Sequence, residues 1–296
     1  MLVLDAGARV TQLRFLPDGR LLVGLLLKTG GAAVDIRPVG AGEPHRIYLR
    51  DSTWVSANQL AVHPSGGRFS VAAHSLRTFA TADGSPVPAG PAVYALEVAA
   101  APDGEWLLTT RRTPAGDTTV AAVYGDGSRR LLATYPSEGN RRLAGVSPDG
   151  ERFVVVGQGE VRVEPLAGAV EPIRARYPSS HVYHPGLSPD GRYLAAIGYS
   201  SMYVYDLPVL GKPRLIKGAS AFGNFVGYAF HPGGRMLAVI HGGPTLVKLY
   251  DLDTLTLRTK LNWKVGPLTC VAFSPDGLLA AAGSEDGRVV VWDVDG

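Results

Sequence analysis

The chain has 296 residues, 46% of them hydrophobic and 19% charged, which suits a soluble globular protein able to bury a large core. A net charge of +3 is too mild for the footprint of a nucleic-acid protein, and a lone cysteine, Cys270, excludes an intrachain disulfide. No apolar run approaches the ~18 residues of a membrane span, and "MLVLDAGARV" lacks the basic and apolar regions of a secretory signal, so a cytoplasmic location is expected.

In chain order, the first predicted element is the short strand Leu2–Leu4, followed by "DAGAR" and the strand "VTQLRFL". The latter opens the stretch "VTQLRFLPDGRLLVGLL", which returns in altered form six times. The later copies are "ANQLAVHPSGGRFSVAA", "YALEVAAAPDGEWLLTT", "RRLAGVSPDGERFVVVG", "VYHPGLSPDGRYLAAIG", "VGYAFHPGGRMLAVIHG" and "LTCVAFSPDGLLAAAGS". Their shared prolines are Pro17, Pro64, Pro102, Pro148, Pro189, Pro232 and Pro275, spaced 38 to 47 residues apart and 43 on average. A period of that length is the mark of a repeat architecture.

Each copy begins with an apolar run suited to a strand buried on both faces. Pro-Asp-Gly then makes a turn: Pro presets φ, Asp bonds back to the backbone and Gly takes positive φ. A second apolar strand follows, then a third such as "MYVYDL" or "TLVKLYD", then a more polar fourth such as "RRLLATY", "PRLIKG" or "TLRTKLN". Four antiparallel strands per period, seven times, is the pattern of a β-propeller. The final copy supplies only three strands, Leu268–Phe273, Leu278–Gly283 and Arg288–Val294. Leu2–Leu4 is expected to complete that blade beside Val289–Trp292 and close the ring, because an open edge invites aggregation. The fold class expected is therefore an all-β, closed seven-bladed propeller forming a single domain over residues 1–296. Deleting the first six residues is expected to destabilise it.

The seven Pro turns and "SEDGRVVVWD" resemble the WD40-repeat family over essentially the whole chain. Trp292-Asp293 matches the eponymous dipeptide, with Tyr205-Asp206 and Tyr250-Asp251 as aromatic variants. The Gly-His pair that opens a typical WD40 repeat is missing from every copy, so the repeats are degenerate. The Asp–His–Ser/Thr–Trp hydrogen-bond network of the family is then available only in part, through Asp286, Ser284 and Trp292.

Catalytic signatures are absent from the sequence: no G-x-S-x-G, H-E-x-x-H, Walker A or paired C-x-x-C occurs. "GAGEPH", "GDGSRR" and "GQGEVR" read as turns. Asp18, Asp103, Asp149, Asp190 and Asp276 are turn formers spaced around a ring. His63 and His231 occupy the Ser slot of the Pro turn, and His184 precedes a proline near a turn. His74, His181 and His241 could approach the channel mouth, but their spacing does not suggest convergence on zinc. No metal and no cofactor is expected, and Cys270 reads as a buried, inert thiol.

The loops that make one face around the channel carry Trp54, Arg111, Arg112, Tyr135, Arg141, Arg142, Tyr177, Tyr183, Tyr199, Phe222, Phe225, Trp263 and Lys264. Arg and aromatic residues are enriched at binding hot spots. The resemblance implies a non-catalytic scaffold whose rigid loop face binds a protein or peptide, an acidic one given the two Arg pairs. The alternative is a lactonase-like propeller hydrolase at the channel mouth, which would need metal ligands or acid–base residues there. Nucleic-acid binding is a weaker third reading, and a membrane partner is not expected.

Overall fold

The computed structural model describes residues 1–49, 59–88, 93–137, 141–157, 159–168, 170–207, 209–218, 225–241 and 245–295. These contain strands and turns but no helix, so no helix is long and apolar enough to cross a membrane. The strands form seven antiparallel sheets. By contacts the chain divides into one unit of residues 1–57, 81–84 and 217–296 and another of 58–80 and 85–216.

The first unit holds three sheets. One comprises Arg9–Phe15, Leu21–Leu26, Ala32–Arg37 and His45–Leu49 in sequence order. The sixth comprises Phe225–Phe230, Met236–His241, Leu246–Asp251 and Leu257–Asn262. The seventh joins Leu268–Phe273, Leu279–Ser284 and Arg288–Asp293 to the N-terminal strand Leu2–Asp5. Leu2 pairs with Val291, Val3 with Val290, Leu4 with Val289 and Asp5 with Arg288, so the clasp expected from the three-strand ending is present.

The seventh sheet shows why its strands read as continuous apolar runs. Ala281, Val289 and Val291 face the first sheet, where Val10, Leu13 and Leu25 are fully buried. Their neighbours Ala280, Ala282, Val290 and Trp292 face the other way, onto Ile240, Val247 and Leu249 of the sixth. A strand interior on both faces has no solvent side on which to alternate.

The Pro turns have the geometry their residues dictate. Ser274 Oγ donates to Asp276 Oδ1 at 2.5 Å and accepts from the Leu279 amide at 2.9 Å. Asp276 Oδ1 accepts the Leu278 amide at 3.0 Å, and Gly277 sits at φ +77°. In the sixth repeat His231 Nδ1 takes over as local acceptor, receiving the Gly233 amide at 3.0 Å.

The second unit holds the remaining sheets. The third comprises Glu97–Ala100, Trp106–Arg112, Thr118–Tyr124 and Arg129–Tyr135. The fourth comprises Arg142–Val146, Arg152–Gly157, Gly159–Pro165 and Ile173–Tyr177. The fifth comprises Tyr183–Leu187, Tyr193–Ile197, Ser201–Asp206 and Arg214–Lys217. The second sheet departs from the expected blade. Leu60–Val62 pairs with a long strand, Arg68–Ala80. The other edge of that long strand carries two separate two-residue strands, Pro86–Val87 and Tyr94–Ala95. Pro86 and Pro88 limit the first of these strands, since proline has no amide to give a ladder.

Candidate functional site

The Arg pairs and aromatics singled out in the sequence divide, in the second unit, into buried ties and presented side chains. Tyr135 ends the outer strand of the third sheet and is only 3% exposed. Its hydroxyl donates to Glu164 Oε1 at 3.0 Å, and burial together with that carboxylate pushes its pKa far up. The Arg141 guanidinium lies 5.0 Å above the Tyr135 ring and donates to Glu160 Oε2 at 2.9 Å. Arg162 donates to the same oxygen at 2.6 Å. Burial disfavours the Glu160 charge, but the two guanidinium hydrogen bonds outweigh it and hold the carboxyl below its usual range. Tyr177, at the end of the fourth sheet's outer strand, is 1% exposed and meets Tyr203 edge-on at 5.1 Å.

Three expectations are thereby corrected. Tyr135 and Tyr177 are core residues, because an aromatic ring at the end of an outer strand turns inward against the neighbouring sheet. The Arg141 side chain is nine-tenths buried, stacked on Tyr135 and committed to Glu160. Arg142 stays partly exposed, but its guanidinium sits 3.5 Å from the buried carboxylate of Glu97. Glu97 in turn accepts from Thr110 Oγ1 and from the Leu143 amide, at 3.1 and 2.8 Å.

Other side chains do face solvent. Arg111 and Arg112 are exposed at the end of Trp106–Arg112. Tyr183 and Tyr199 are 46% and 65% exposed and flank His181, with ring centroids 5.9 and 5.4 Å from it. Arg174 and Arg176 are exposed on the outer strand of the fourth sheet. With Arg141 and Glu160 they line a shallow depression of about 460 Å³. This Arg-lined depression was not singled out in the sequence; the alternation "IRARY" was its only signal.

In the first unit, Trp263 is half-buried against Trp292, ring centroids 4.5 Å apart, and Lys264 is exposed with φ +54°. Phe225 is buried against His241. Trp54 and Phe222 lie outside the described residues. The Trp292 indole Nε1 is buried and has no hydrogen-bond partner, while Ser284 Oγ accepts the Arg288 amide, so not even a partial family network links these two residues.

The other candidate groups are held locally. His74 packs edge-on to Tyr94. His63 Nε2 is 3.0 Å from Ser70 Oγ, so its ring serves the neighbouring strand rather than the turn. Among the described residues no three His, Cys, Asp or Glu side chains are placed to share a metal ion. Burial pushes the Cys270 thiol up to about 11, which leaves it protonated and unreactive near neutral pH.

Comparison with known proteins agrees with this architecture. The WD domain, G-beta repeat model of the WD40 family matches residues 256–293. Small ribosomal subunit protein RACK1y of Oryza sativa subsp. japonica is 46% identical over 48 residues, 16% of this chain and 14% of that protein. Target of rapamycin complex subunit LST8 of Mus musculus is 26% identical over 109 residues, 36% of this chain and 33% of its own. The matches thus span a third or less of these curated relatives. The crystal structure of the Myceliophteria thermophila Cps50 (Swd1) beta-propeller domain superposes with a TM-score of 0.77 at 15% identity, covering 99% of this chain and 98% of that one. The fold is a seven-bladed β-propeller.

Proposed function

We propose that this WD40-like β-propeller is a non-catalytic, cytoplasmic platform that binds a protein or peptide partner of acidic character. The reading is supported by the relatives, whose names place them in a ribosomal subunit and in a multiprotein complex. The observation that carries the acidic character is an imbalance of charge in the second unit. Glu97 and Glu160 are already committed to Arg142, Arg141 and Arg162, whereas Arg174 and Arg176 remain exposed beside the depression and Arg111 remains exposed on the neighbouring blade. Tyr183 and Tyr199 add presented aromatic area of the kind that anchors interfaces.

Rigidity is the mechanism. The loops are anchored in sheets whose inner strands are buried on both faces, so little conformational entropy is lost when a partner docks. The test is capture of partners from native lysate with the wild type and with an Arg112→Glu/Arg174→Glu/Arg176→Glu variant, folding being confirmed by circular dichroism. A partner held by the wild type and lost by the variant supports the reading. Partners retained equally by both would sink its electrostatic basis.

A further inference from the structure

The second blade is where the repeats break their own pattern, and the break uncovers part of the third. Along the third blade, Val98, Ala100 and Leu107 face the second and pack with Ala61, Ala72 and Ala95. Following the same face at period two leads to Thr109 and Arg111, then across the register to Ala121 and Thr119, then to Leu131 and Arg129. A complete second blade would place its outer strands over these residues. Here two-residue strands stand in that place, and among the described residues the second sheet has no further strand beyond them. Leu131 is consequently 64% exposed, and a cleft of about 290 Å³ opens over this face. Val93 also lines a neighbouring slot of about 60 Å³, walled by Leu76, Trp106 and Leu107 with Glu105 beside them.

The charge of the cleft is one-sided. Arg111 and Arg129 both line it, no carboxylate does, and neither Arg has an ion-pair partner among the described residues. Two uncompensated guanidiniums beside exposed apolar surface favour a ligand that brings carboxylates and apolar side chains together. An extended segment does so by simple alternation, presenting every second side chain to one surface. Pro86 lacks an amide to extend a ladder, so recognition here rests on side chains rather than on strand addition.

We propose that this inter-blade cleft is the docking groove for an extended acidic segment of a partner protein. Its carboxylates pair with Arg111 and Arg129, and one apolar side chain covers Leu131 or enters the slot beside Trp106. The inference rests on the platform reading and specifies where, and for what chemistry, that platform binds.

A random dodecapeptide library panned against the purified full chain tests this, with labelled winners measured by fluorescence anisotropy. Selected peptides are expected to alternate Asp or Glu with apolar residues. Their affinity is expected to fall about tenfold or more in Arg111→Glu/Arg129→Glu and in Leu131→Asp. It is expected to stay within about twofold in Lys212→Glu/Lys217→Glu, an equal charge change on exposed lysines that do not line the cleft. Peptides that keep their affinity in Arg111→Glu/Arg129→Glu but lose it in the Arg112/Arg174/Arg176 variant overturn the groove and leave the platform standing. A library yielding no binder also overturns the groove, while the platform is then judged by partner capture alone.

Discussion

Arg37 donates through Nη1 to the Asp5 carbonyl oxygen at 2.7 Å, tying the first blade to the end of the N-terminal strand. Arg46 makes the companion bond, Nη2 to the Ala6 carbonyl at 3.0 Å. Both guanidiniums are held by Asp35, which is fully buried: Arg46 bidentately at 2.7 and 2.9 Å, Arg37 at 3.6 Å. One carboxylate thus fixes the two side chains that fix the point where the clasp leaves the seventh blade. Asp35→Asn strands a buried guanidinium and is expected to cost about 3 kcal/mol in urea unfolding. Removing residues 1–6 costs more, because it strips the whole Leu2–Asp5 ladder. The two changes combined are expected to cost clearly less than their sum, and simple additivity would show that Asp35 does not act through the clasp.

Close approach of the inner strands sets a second expectation. A Cβ at Gly283 would collide with Val10 Cγ1 and lie 2.9 Å from Cys270 Sγ. Gly283→Ala is therefore expected to cost about 2 kcal/mol through overpacking. Gly125→Ala meets nothing within 4 Å and is the matched control, expected to leave the thermal midpoint unchanged. Equal effects at both positions would mean that backbone entropy, not packing, decides the outcome.

The orphaned indole of Trp292 gives a third. Since its N–H has no acceptor, Trp292→Phe breaks no hydrogen bond and is expected to cost only about 1 kcal/mol in lost contact. Trp263→Ala removes the tilted ring packed against it and is expected to cost more. A loss of about 3 kcal/mol or more in Trp292→Phe would mean that the indole N–H does find an acceptor in solution.

The strands, the Pro turns and the clasp were legible in the sequence because each is a local pattern: a doubly buried run, a Pro-Asp-Gly triplet, a strand left over at one end and missing at the other. The truncated second blade left weaker traces, the 38-residue spacing from Pro64 to Pro102 and the prolines of "SPVPAGPA". Repeat counting passes over these because it assumes every copy is whole. The site was harder still. Tyr135 and Tyr199 are both tyrosines near the same rim, yet one is 3% exposed and the other 65%. What separates them is whether a neighbouring blade offers a Glu164 and an Arg141 to receive the ring, which is a fact of three-dimensional adjacency. The same holds for Arg129, unremarkable in "SRRLLATY" until the described residues of the second sheet prove to offer no strand that covers it.

Acid should unfold the protein in two stages with separate owners. The buried His241 imidazole is held down to about 4 by burial and, to a lesser degree, by Lys248, against an ordinary value of 6.5. Its folded value lies below its unfolded one, so its contribution is fully present above pH 6.5 and is lost as pH falls through about 4. Asp251 is held at about 2 by the Thr254 amide, the Arg258 guanidinium and the Thr254 hydroxyl, against an ordinary 3.8. Asp149 and Asp276 are lowered by their turn serines and by the Glu151 and Leu278 amides. These carboxylates have the same sign but act later, below pH 3.8 and down through their depressed values. Urea midpoints measured from about pH 7 to about pH 2 should therefore fall gently and then steeply. His241→Phe, which keeps a ring against Phe225, is expected to lessen the upper stage, to which His63, also held down by burial, contributes the remainder, and to leave the lower one intact. Asp251→Asn is expected to leave the upper stage intact and lessen the lower one in part, Asp149 and Asp276 supplying the rest. If His241→Phe retained the full slope between pH 6.5 and 4, the imidazole would not be the buried neutral group that its packing against Phe225 implies.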